Sequence, residues 1–275
     1  MPAGMTEHRI DVDGGTVFAV ESGSGTPLLM LHGWPLDHRM FDYQVDALSG
    51  AFRCIAIDRR GFGRSTAPPD MRREPGDIDR VLGALGIDKT HLLGVSQGGR
   101  VALRYAATRG ERLRSLLLQG AVVDGLDIAE PEAERVPVAR FAQMTAAGHL
   151  DDVIAEWLAH PMMSLPAGHE AEQRLLEEII DDYRGTDLAH FDPSHYTVDF
   201  DVLDSLEKRS PPILLLTGAH ETQARKQHAR AICERVRNCR EVRFADSGHL
   251  GNLTEPGRFN RVVAEFLSTV DRRAA

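Results

Sequence analysis

Ser96 has a glycine two residues away on each side, in the segment Gly94-Val95-Ser96-Gln97-Gly98. An apolar run over 91–95 precedes it, and a helical pattern over 101–106 follows. A serine on a sharp turn between a strand and a helix needs small neighbours, because the strained backbone leaves little room for side chains. The pattern therefore predicts a nucleophilic serine, and an ordinary glycine-rich turn is the alternative interpretation.

His249 is the candidate base for this serine. A serine hydroxyl is a weak nucleophile and needs a base to accept its proton. His249 follows a predicted last strand at 241–245 and precedes a predicted closing helix after Pro256. A loop at that point presents an imidazole at the carboxyl edge of the sheet, where Ser96 is also expected. We therefore predict that the two side chains meet.

Two carboxylates are candidates for the group that orients the histidine. Glu221 follows the apolar run 213–216, and Asp124 follows the run 116–118. Both therefore emerge at the carboxyl edge of a predicted parallel sheet. We favour Glu221, which preserves the chain order serine, acid, histidine. Asp124 is kept as the alternative acid, and a solvated loop carboxylate is the other interpretation of either residue.

The elements that must position these residues alternate between strands and helices. Short apolar runs, typical of strands covered on both faces, are separated by helical patterns. Residues 9–21 add a predicted hairpin, and Asp77 is expected to cap a helix that ends at Gly86. The alternation predicts an α/β fold with a mostly parallel central sheet flanked by helices. The predicted central strands lie at 27–31, 53–57, 91–95, 116–118 and 213–216.

One long segment interrupts the alternation. Residues 124–205 contain helical stripes and no convincing strand. We interpret this segment as a helical cap inserted into a core domain formed by residues 1–123 and 206–275. The cap residues Met144, Trp157, Met162 and Met163 are expected to roof an apolar substrate pocket, and the alternative is that they form the core of the cap itself.

With these residues in place, the chain resembles the α/β-hydrolase family, and within it the haloperoxidase-like esterases and enol-lactone hydrolases. The resemblance runs from about residue 16 to residue 267. The segment 32–35, His-Gly-Trp-Pro, resembles the family's HGxP turn, and the segment 58–65 resembles its structural DxRGxGxS motif. The resemblance implies that the backbone N–H groups of Trp34 and Gln97 form the oxyanion hole.

The resemblance implies a serine hydrolase of the carboxylesterase class, which cleaves a small to medium ester or a similar acyl substrate through an acyl-enzyme. No metal or other cofactor is implied. One alternative is a lactone or carbon-carbon bond hydrolase with the same triad, since the cap selects the substrate. The other is a ligand-binding receptor or accessory protein with little turnover. A serine nucleophile argues against epoxide hydrolases and haloalkane dehalogenases, which require a carboxylate.

The composition of the chain indicates which kinds of binding partner it does not favour. The net charge of −9 disfavours nucleic-acid binding, which requires concentrated Lys and Arg. No apolar stretch approaches the length of a membrane span and no signal peptide is visible, so we expect a cytoplasmic protein without a membrane partner. The chain is expected to be a monomer or a homodimer. Cys54, Cys233 and Cys239 show no metal-ligand spacing, so neither zinc nor a disulfide is expected.

Overall fold

The computed structural model describes residues 4–274, and its centre is one sheet of eight strands. The strands span Thr6–Val12 (β1), Gly15–Ser22 (β2), Thr26–Leu31 (β3), Phe52–Asp58 (β4), Thr90–Val95 (β5), Leu113–Gln119 (β6), Ile213–Gly218 (β7) and Cys239–Phe244 (β8).

The strand order along the sheet is β1-β2-β4-β3-β5-β6-β7-β8. The pairs β1/β2 and β2/β4 are antiparallel, and the five other pairs are parallel. The carboxyl ends of β3, β5, β6, β7 and β8 therefore lie at one edge, where loops from distant parts of the chain can meet. This topology confirms the predicted α/β fold with a mostly parallel sheet and an amino-terminal hairpin.

Helices surround this sheet and fill the segment between β6 and β7. The α-helices in the described residues span Asp42–Leu48 (α1), Glu74–Ala84 (α2), Gln97–Arg109 (α3), Val138–Ala146 (α4), Leu150–Leu158 (α5), Glu170–Asp181 (α6), Thr186–Ala189 (α7), Val202–Lys208 (α8), Gln223–Arg235 (α9), Gly251–Thr254 (α10) and Pro256–Ala274 (α11). Short 3₁₀ helices lie at His38–Phe41, Gly110–Arg112, Glu132–Glu134, Pro161–Met163 and Pro193–Tyr196.

The central strands are buried on both faces because helices cover each side of the sheet. All residues of β5 and β7 are buried. One apolar cluster includes side chains of α2, α3, α8 and α9, and a second cluster includes those of α1, α11 and the helices α4 to α6. Two-sided burial explains why these strands are continuous apolar runs in the sequence.

The start of α2 differs from the prediction. The helix begins at Glu74, with Pro75 in its first turn, so Asp77 lies inside the helix and does not cap it. The proline favours the earlier start because its ring fixes a helical φ angle where no hydrogen-bond donor is needed. Asp77 instead accepts hydrogen bonds from Arg60 Nε at 2.6 Å and Nη2 at 2.7 Å, a buried ion pair.

The segment between β6 and β7 contains four α-helices, α4 to α7, and three short 3₁₀ helices before the chain reaches α8. The predicted cap boundary at residue 205 falls inside α8, whose side chains Val202, Leu203 and Leu206 pack in the same apolar cluster as α3. The division of the chain into core and cap remains a prediction. Residues 1–3 and 275, the outer ends of the predicted core, lie outside the described residues.

The prediction that no disulfide forms is wrong. Cys233, in the last turn of α9, and Cys239, the first residue of β8, form a disulfide bond with a Cα–Cα distance of 5.1 Å. The short turn between helix and strand brings the two residues together, and their spacing alone does not reveal this. Cys54 is a buried free thiol in β4, and burial raises its pKa to about 12.

Within residues 4–274 no helix has both the length and the apolar character needed to span a membrane.

Candidate active site

Ser96 forms the turn between β5 and α3. Its backbone has φ 53° and ψ −116°, and it is the one non-glycine residue with positive φ among the described residues. Such a conformation is costly for an L-amino acid and marks a constrained position. The Ser96 N–H donates to Gln119 O at 2.7 Å, and Ser96 O accepts from Arg100 N at 3.1 Å. The half-buried serine is therefore held at the amino-terminal end of α3, at the carboxyl edge of the sheet.

Gly98 allows the turn to approach the neighbouring strand. A Cβ atom at this position would lie 2.3 Å from Leu31 O and 2.5 Å from His32 O. Both atoms belong to the backbone that leads into the His-Gly-Trp-Pro turn. The glycine is therefore required for the close contact between the Ser96 turn and the Trp34 turn.

Gly98→Ala is expected to lower kcat/KM for any hydrolysis that depends on Ser96 by about 100-fold, because the added methyl group separates the two turns and displaces a predicted oxyanion donor. Its Tm should fall as well. The matched control is Gly83→Ala in α2, where the new Cβ meets no atom within 4 Å. Steady-state kinetics and thermal unfolding of both variants provide the measurement, and equal activity in the two would contradict the proposed role of Gly98.

The ring of His249 lies against Glu221. His249 Nδ1 and Glu221 Oε2 are 2.6 Å apart, and both side chains are buried. Thr222 N donates to the other carboxylate oxygen, Oε1, at 2.7 Å. Burial acts to raise the pKa of Glu221, but the charge and hydrogen bond of His249 and the Thr222 N–H outweigh burial, so this pKa lies below its ordinary value. The carboxyl group is therefore ionised at neutral pH and can hold Nδ1–H of the imidazole.

Gln119 and Gly120, at the end of β6, bring this pair beside Ser96. Gln119 O accepts from Ser96 N, and Gln119 Nε2 donates to His249 O at 2.6 Å. A Cβ atom on Gly120, whose φ is 59°, would lie 2.4 Å from His249 Cε1 and 3.0 Å from Glu221 Oε2. Within residues 4–274 no hydrogen bond joins Ser96 Oγ to the His249 ring. In substrate-free enzymes such catalytic bonds are often long and tighten on binding.

Asp124, the alternative acid, lies in a different environment. Its Oδ1 accepts from Arg100 Nε at 2.7 Å, and its Oδ2 accepts from Arg104 Nε at 2.7 Å. Burial acts to raise the pKa of Asp124, but the hydrogen bonds from Arg104 and Arg100 outweigh it and lower this pKa. Both oxygens face arginines of α3, so the structure brings Glu221 rather than Asp124 to the histidine.

Two backbone N–H groups near Ser96 have no acceptor among the described residues. Gln97 is the first residue of α3, so its N–H has no partner within the helix. The N–H of Trp34 has no acceptor among the described residues. The preceding Gly33 lies in contact with Ser96, since a Cβ atom on this glycine would lie 3.2 Å from Ser96 Cβ. The two predicted oxyanion donors therefore belong to the residues that follow Ser96 and Gly33, and their approach to one oxyanion remains a prediction.

Arg59 links the turn that contains Ser96 to the turn that contains Trp34, and sequence reasoning missed this role. Its Nη1 donates to Gln97 Oε1 at 2.9 Å and to His32 O at 3.3 Å, and its guanidinium is paired with buried Glu74. His32 Nε2 accepts from Arg59 N at 2.9 Å. Burial lowers the pKa of His32 to about 3, so the ring is neutral and can accept this bond. Two adjacent arginines directly after a buried strand were the available signal, because buried charges need partners.

The four predicted pocket residues lie in the apolar cluster that joins α4 to α6 with α1, α11 and one face of the sheet. Trp157, Met162 and Met163 are buried, and Met144 is partly buried against the same cluster. Trp157 also contacts the edge of the Trp34 ring, with centroids 4.7 Å apart. This cluster is continuous with the Trp34 turn, and the role of its members in binding substrate remains a prediction.

A small cavity of about 20 Å³ adjoins Gln97 and is also lined by Phe62 and Asp187. It has room for about one water molecule. A wider groove of about 1150 Å³ lies between α2 and residues 194–200, and Ser96 does not line it. Ser96 and His249 line neither of these two spaces.

A cluster of potential metal ligands, Asp37, His38 and Asp58, lies outside this site. Asp58 Oδ1 accepts from His38 N at 2.8 Å and from His38 Nδ1 at 2.6 Å, and its Oδ2 accepts from Arg64 N at 2.7 Å. Asp37 Oδ2 accepts from Arg39 Nη2 at 2.7 Å. Both carboxylates accept hydrogen bonds from other groups of the protein, which supports a structural role for this segment.

Comparisons with known proteins agree with this architecture. A family model described as "alpha/beta hydrolase fold" matches residues 26–256. The AB hydrolase superfamily protein YisY of Bacillus subtilis is 29% identical over 265 residues, which cover 91% of this chain and 95% of that protein.

Two solved structures are similar over nearly the whole chain. A thermophilic esterase from Thermogutta terrifontis has 25% identity and a TM-score of 0.79, covering 96% of this chain and 99% of its own. The esterase EaEST from Exiguobacterium antarcticum has 26% identity and a TM-score of 0.77, covering 96% and 100%. These matches confirm the predicted fold and the resemblance carried by the motifs.

Proposed function

Because the chain belongs to the α/β-hydrolase fold family, we propose that it is a serine hydrolase that cleaves small to medium carboxylic esters through an acyl-enzyme on Ser96. The observation that carries the proposal is the contact of 2.6 Å between His249 and the buried Glu221, next to a serine on a strained turn. Nucleophile, base and orienting acid are the three parts that serine acyl transfer requires. The similarity to two esterases supports the choice of an ester as substrate.

In the proposed mechanism, His249 Nε2 takes the proton of Ser96 Oγ as the oxygen attacks the ester carbonyl. Glu221 holds Nδ1–H and stabilises the imidazolium, while the N–H groups of Trp34 and Gln97 donate to the oxyanion. Collapse of the tetrahedral intermediate breaks the ester bond, and the imidazolium gives its proton to the departing alcohol. Water then attacks the acyl-enzyme with the same histidine as base, which releases the acid and regenerates the serine.

We propose that the substrate has a short acyl group. The Trp34 turn, which contacts the Ser96 turn, packs against the rings of Trp157 and Tyr183, so a long acyl chain would require side chains of the predicted cap to move. We therefore expect activity to decrease as the acyl chain of the substrate becomes longer.

Labelling with a fluorophosphonate probe tests the nucleophile directly. The native protein is expected to be labelled at the peptide that carries Ser96, because only an activated serine attacks phosphorus rapidly. Heat-denatured protein is the control and should remain unlabelled. A native protein that is not labelled, or labelling at another serine, would contradict the proposal and favour a binding protein of this fold.

A substrate panel tests the reaction class. We expect kcat/KM to be higher for p-nitrophenyl acetate and butyrate than for the octanoate, and higher for these esters than for γ- and δ-lactones. The measurement is initial-rate kinetics with each compound at matched enzyme concentration. Faster turnover of a lactone would show that the substrate class proposed here is wrong, although the nucleophile would stand.

A further inference from the structure

The side chain of Trp34 extends from the oxyanion turn into the helices between β6 and β7. Its ring stacks near Phe141 of α4, with centroids 6.1 Å apart, and meets Trp157 of α5 edge to face at 4.7 Å. Tyr183, just after α6, contacts it edge to face at 6.0 Å. Three cap segments thus surround one side chain of the core. The backbone N–H of this same residue is a proposed oxyanion donor.

A carboxylate completes this environment. Asp187 Oδ2 accepts from Trp34 Nε1 at 2.7 Å, and Asp187 Oδ1 accepts from Tyr183 Oη at 2.6 Å. Burial raises the pKa of the Asp187 carboxyl, in spite of the two hydrogen bonds that lower it. Removing a carboxyl group from water costs free energy, and hydrogen-bond donors at both oxygens of Asp187 offset part of this cost. Its position in α7 places it beside the cavity that adjoins Gln97.

We propose that Asp187 is a positioning residue which, through the Trp34 indole, couples the cap to the oxyanion hole. This inference rests on the proposed function. When Asp187 and the aromatic side chains hold the indole, the Trp34 backbone N–H is fixed towards the developing oxyanion. When the cap withdraws, the indole loses its acceptor and its aromatic contacts, and the N–H is no longer fixed. Transition-state stabilisation therefore depends on the cap being seated.

A second contact between cap and core provides a contrast. Tyr43 Oη of α1 donates to Glu172 Oε1 of α6 at 3.0 Å, a side-chain hydrogen bond between a core helix and a cap helix. Tyr43 makes no described hydrogen bond with the oxyanion turn. A change at Tyr43 therefore removes a hydrogen bond between cap and core that does not involve the Trp34 turn. A change at Asp187 removes the hydrogen bond that includes Trp34 itself.

The experiment compares Asp187→Leu, Asp187→Asn and Trp34→Phe with the control Tyr43→Phe, using p-nitrophenyl butyrate. Leucine has a similar shape but no acceptor, so kcat should fall about tenfold with KM changed less than about twofold, since a misplaced donor weakens only the transition state. Trp34→Phe removes the indole donor and should behave in the same way. Asp187→Asn should keep kcat within about threefold of wild type. The amide oxygen can accept from Trp34, and the Tyr183 hydroxyl can turn to accept from the amide NH2 group.

Inhibition by a trifluoromethyl ketone with a butyl chain provides a second readout. Attack by Ser96 converts this ketone to a tetrahedral oxyanion, so its Ki should rise in Asp187→Leu by about the factor by which kcat/KM falls. In Tyr43→Phe both Ki and kcat should remain at the wild-type values. Thermal unfolding of each variant separates loss of activity from loss of fold.

The outcomes are distinct. If Asp187→Leu had wild-type kcat and Ki, or an effect equal to that of Tyr43→Phe, the proposed coupling would be wrong. The proposed function would still stand in that case, provided that Ser96 is labelled and the enzyme is active. A wild-type protein that neither hydrolyses the ester nor reacts with a fluorophosphonate would overturn both.

Discussion

Replacing Ser96 with alanine is expected to lower kcat for p-nitrophenyl butyrate by about 10⁶-fold, the loss seen when the nucleophile of a serine triad is removed. The physical reason is that Ser96 carries the one side-chain hydroxyl of the turn 94–99, so its removal leaves no nucleophile there. Residual turnover above the uncatalysed rate should persist, because the oxyanion hole and the binding site remain. The measurement is steady-state kinetics on purified variant free of wild-type protein.

The control for this variant is its stability. Alanine meets the same backbone requirement as serine at φ 53°, so Tm should stay within a few degrees of the wild-type value. His249→Ala should lower kcat about as much as Ser96→Ala does. The double variant should lower kcat little further, because the residues act as a unit. Turnover within about tenfold of wild type in Ser96→Ala would rule out the proposed nucleophile.

The second large effect concerns the acid. Glu221→Gln is expected to lower kcat by about 10⁴-fold, because the amide no longer holds the proton on His249 Nδ1 and the tautomer that can accept a proton at Nε2 is lost. Asp124→Asn should leave kcat within about threefold of wild type. It should instead lower the free energy of unfolding by about 3 kcal/mol, since Arg100 and Arg104 lose the charge that compensates their burial.

These two variants form a matched pair because each changes one carboxylate to its amide at a buried position. Steady-state kinetics and urea denaturation of both separate a catalytic from a structural carboxylate. If Asp124→Asn abolished turnover and Glu221→Gln did not, the assignment of the acid would be wrong.

Much of the fold could be predicted because its signals are local. Two-sided burial leaves continuous apolar runs, and every predicted central strand is present, with ends shifted by a few residues. Strand ends and helix starts depend on neighbours, so the pattern places Asp77 at the cap of a helix whose cap is in fact Arg73, four residues earlier. The bond between Cys233 and Cys239 was missed for the same reason, since only the turn between α9 and β8 brings the thiols together.

The sequence by itself determined the chemical types at the site: a serine between glycines, a histidine in the last loop, and two carboxylates at strand ends. Tertiary structure alone decided which carboxylate meets the imidazole, because Asp124 is occupied by two arginines of α3 that no spacing rule connects to it. It also decided that Trp34 extends into the cap to Asp187, 153 residues away along the chain. Residue type and spacing encode local backbone geometry, whereas pairing between distant side chains follows from how the sheet, helices and cap pack together.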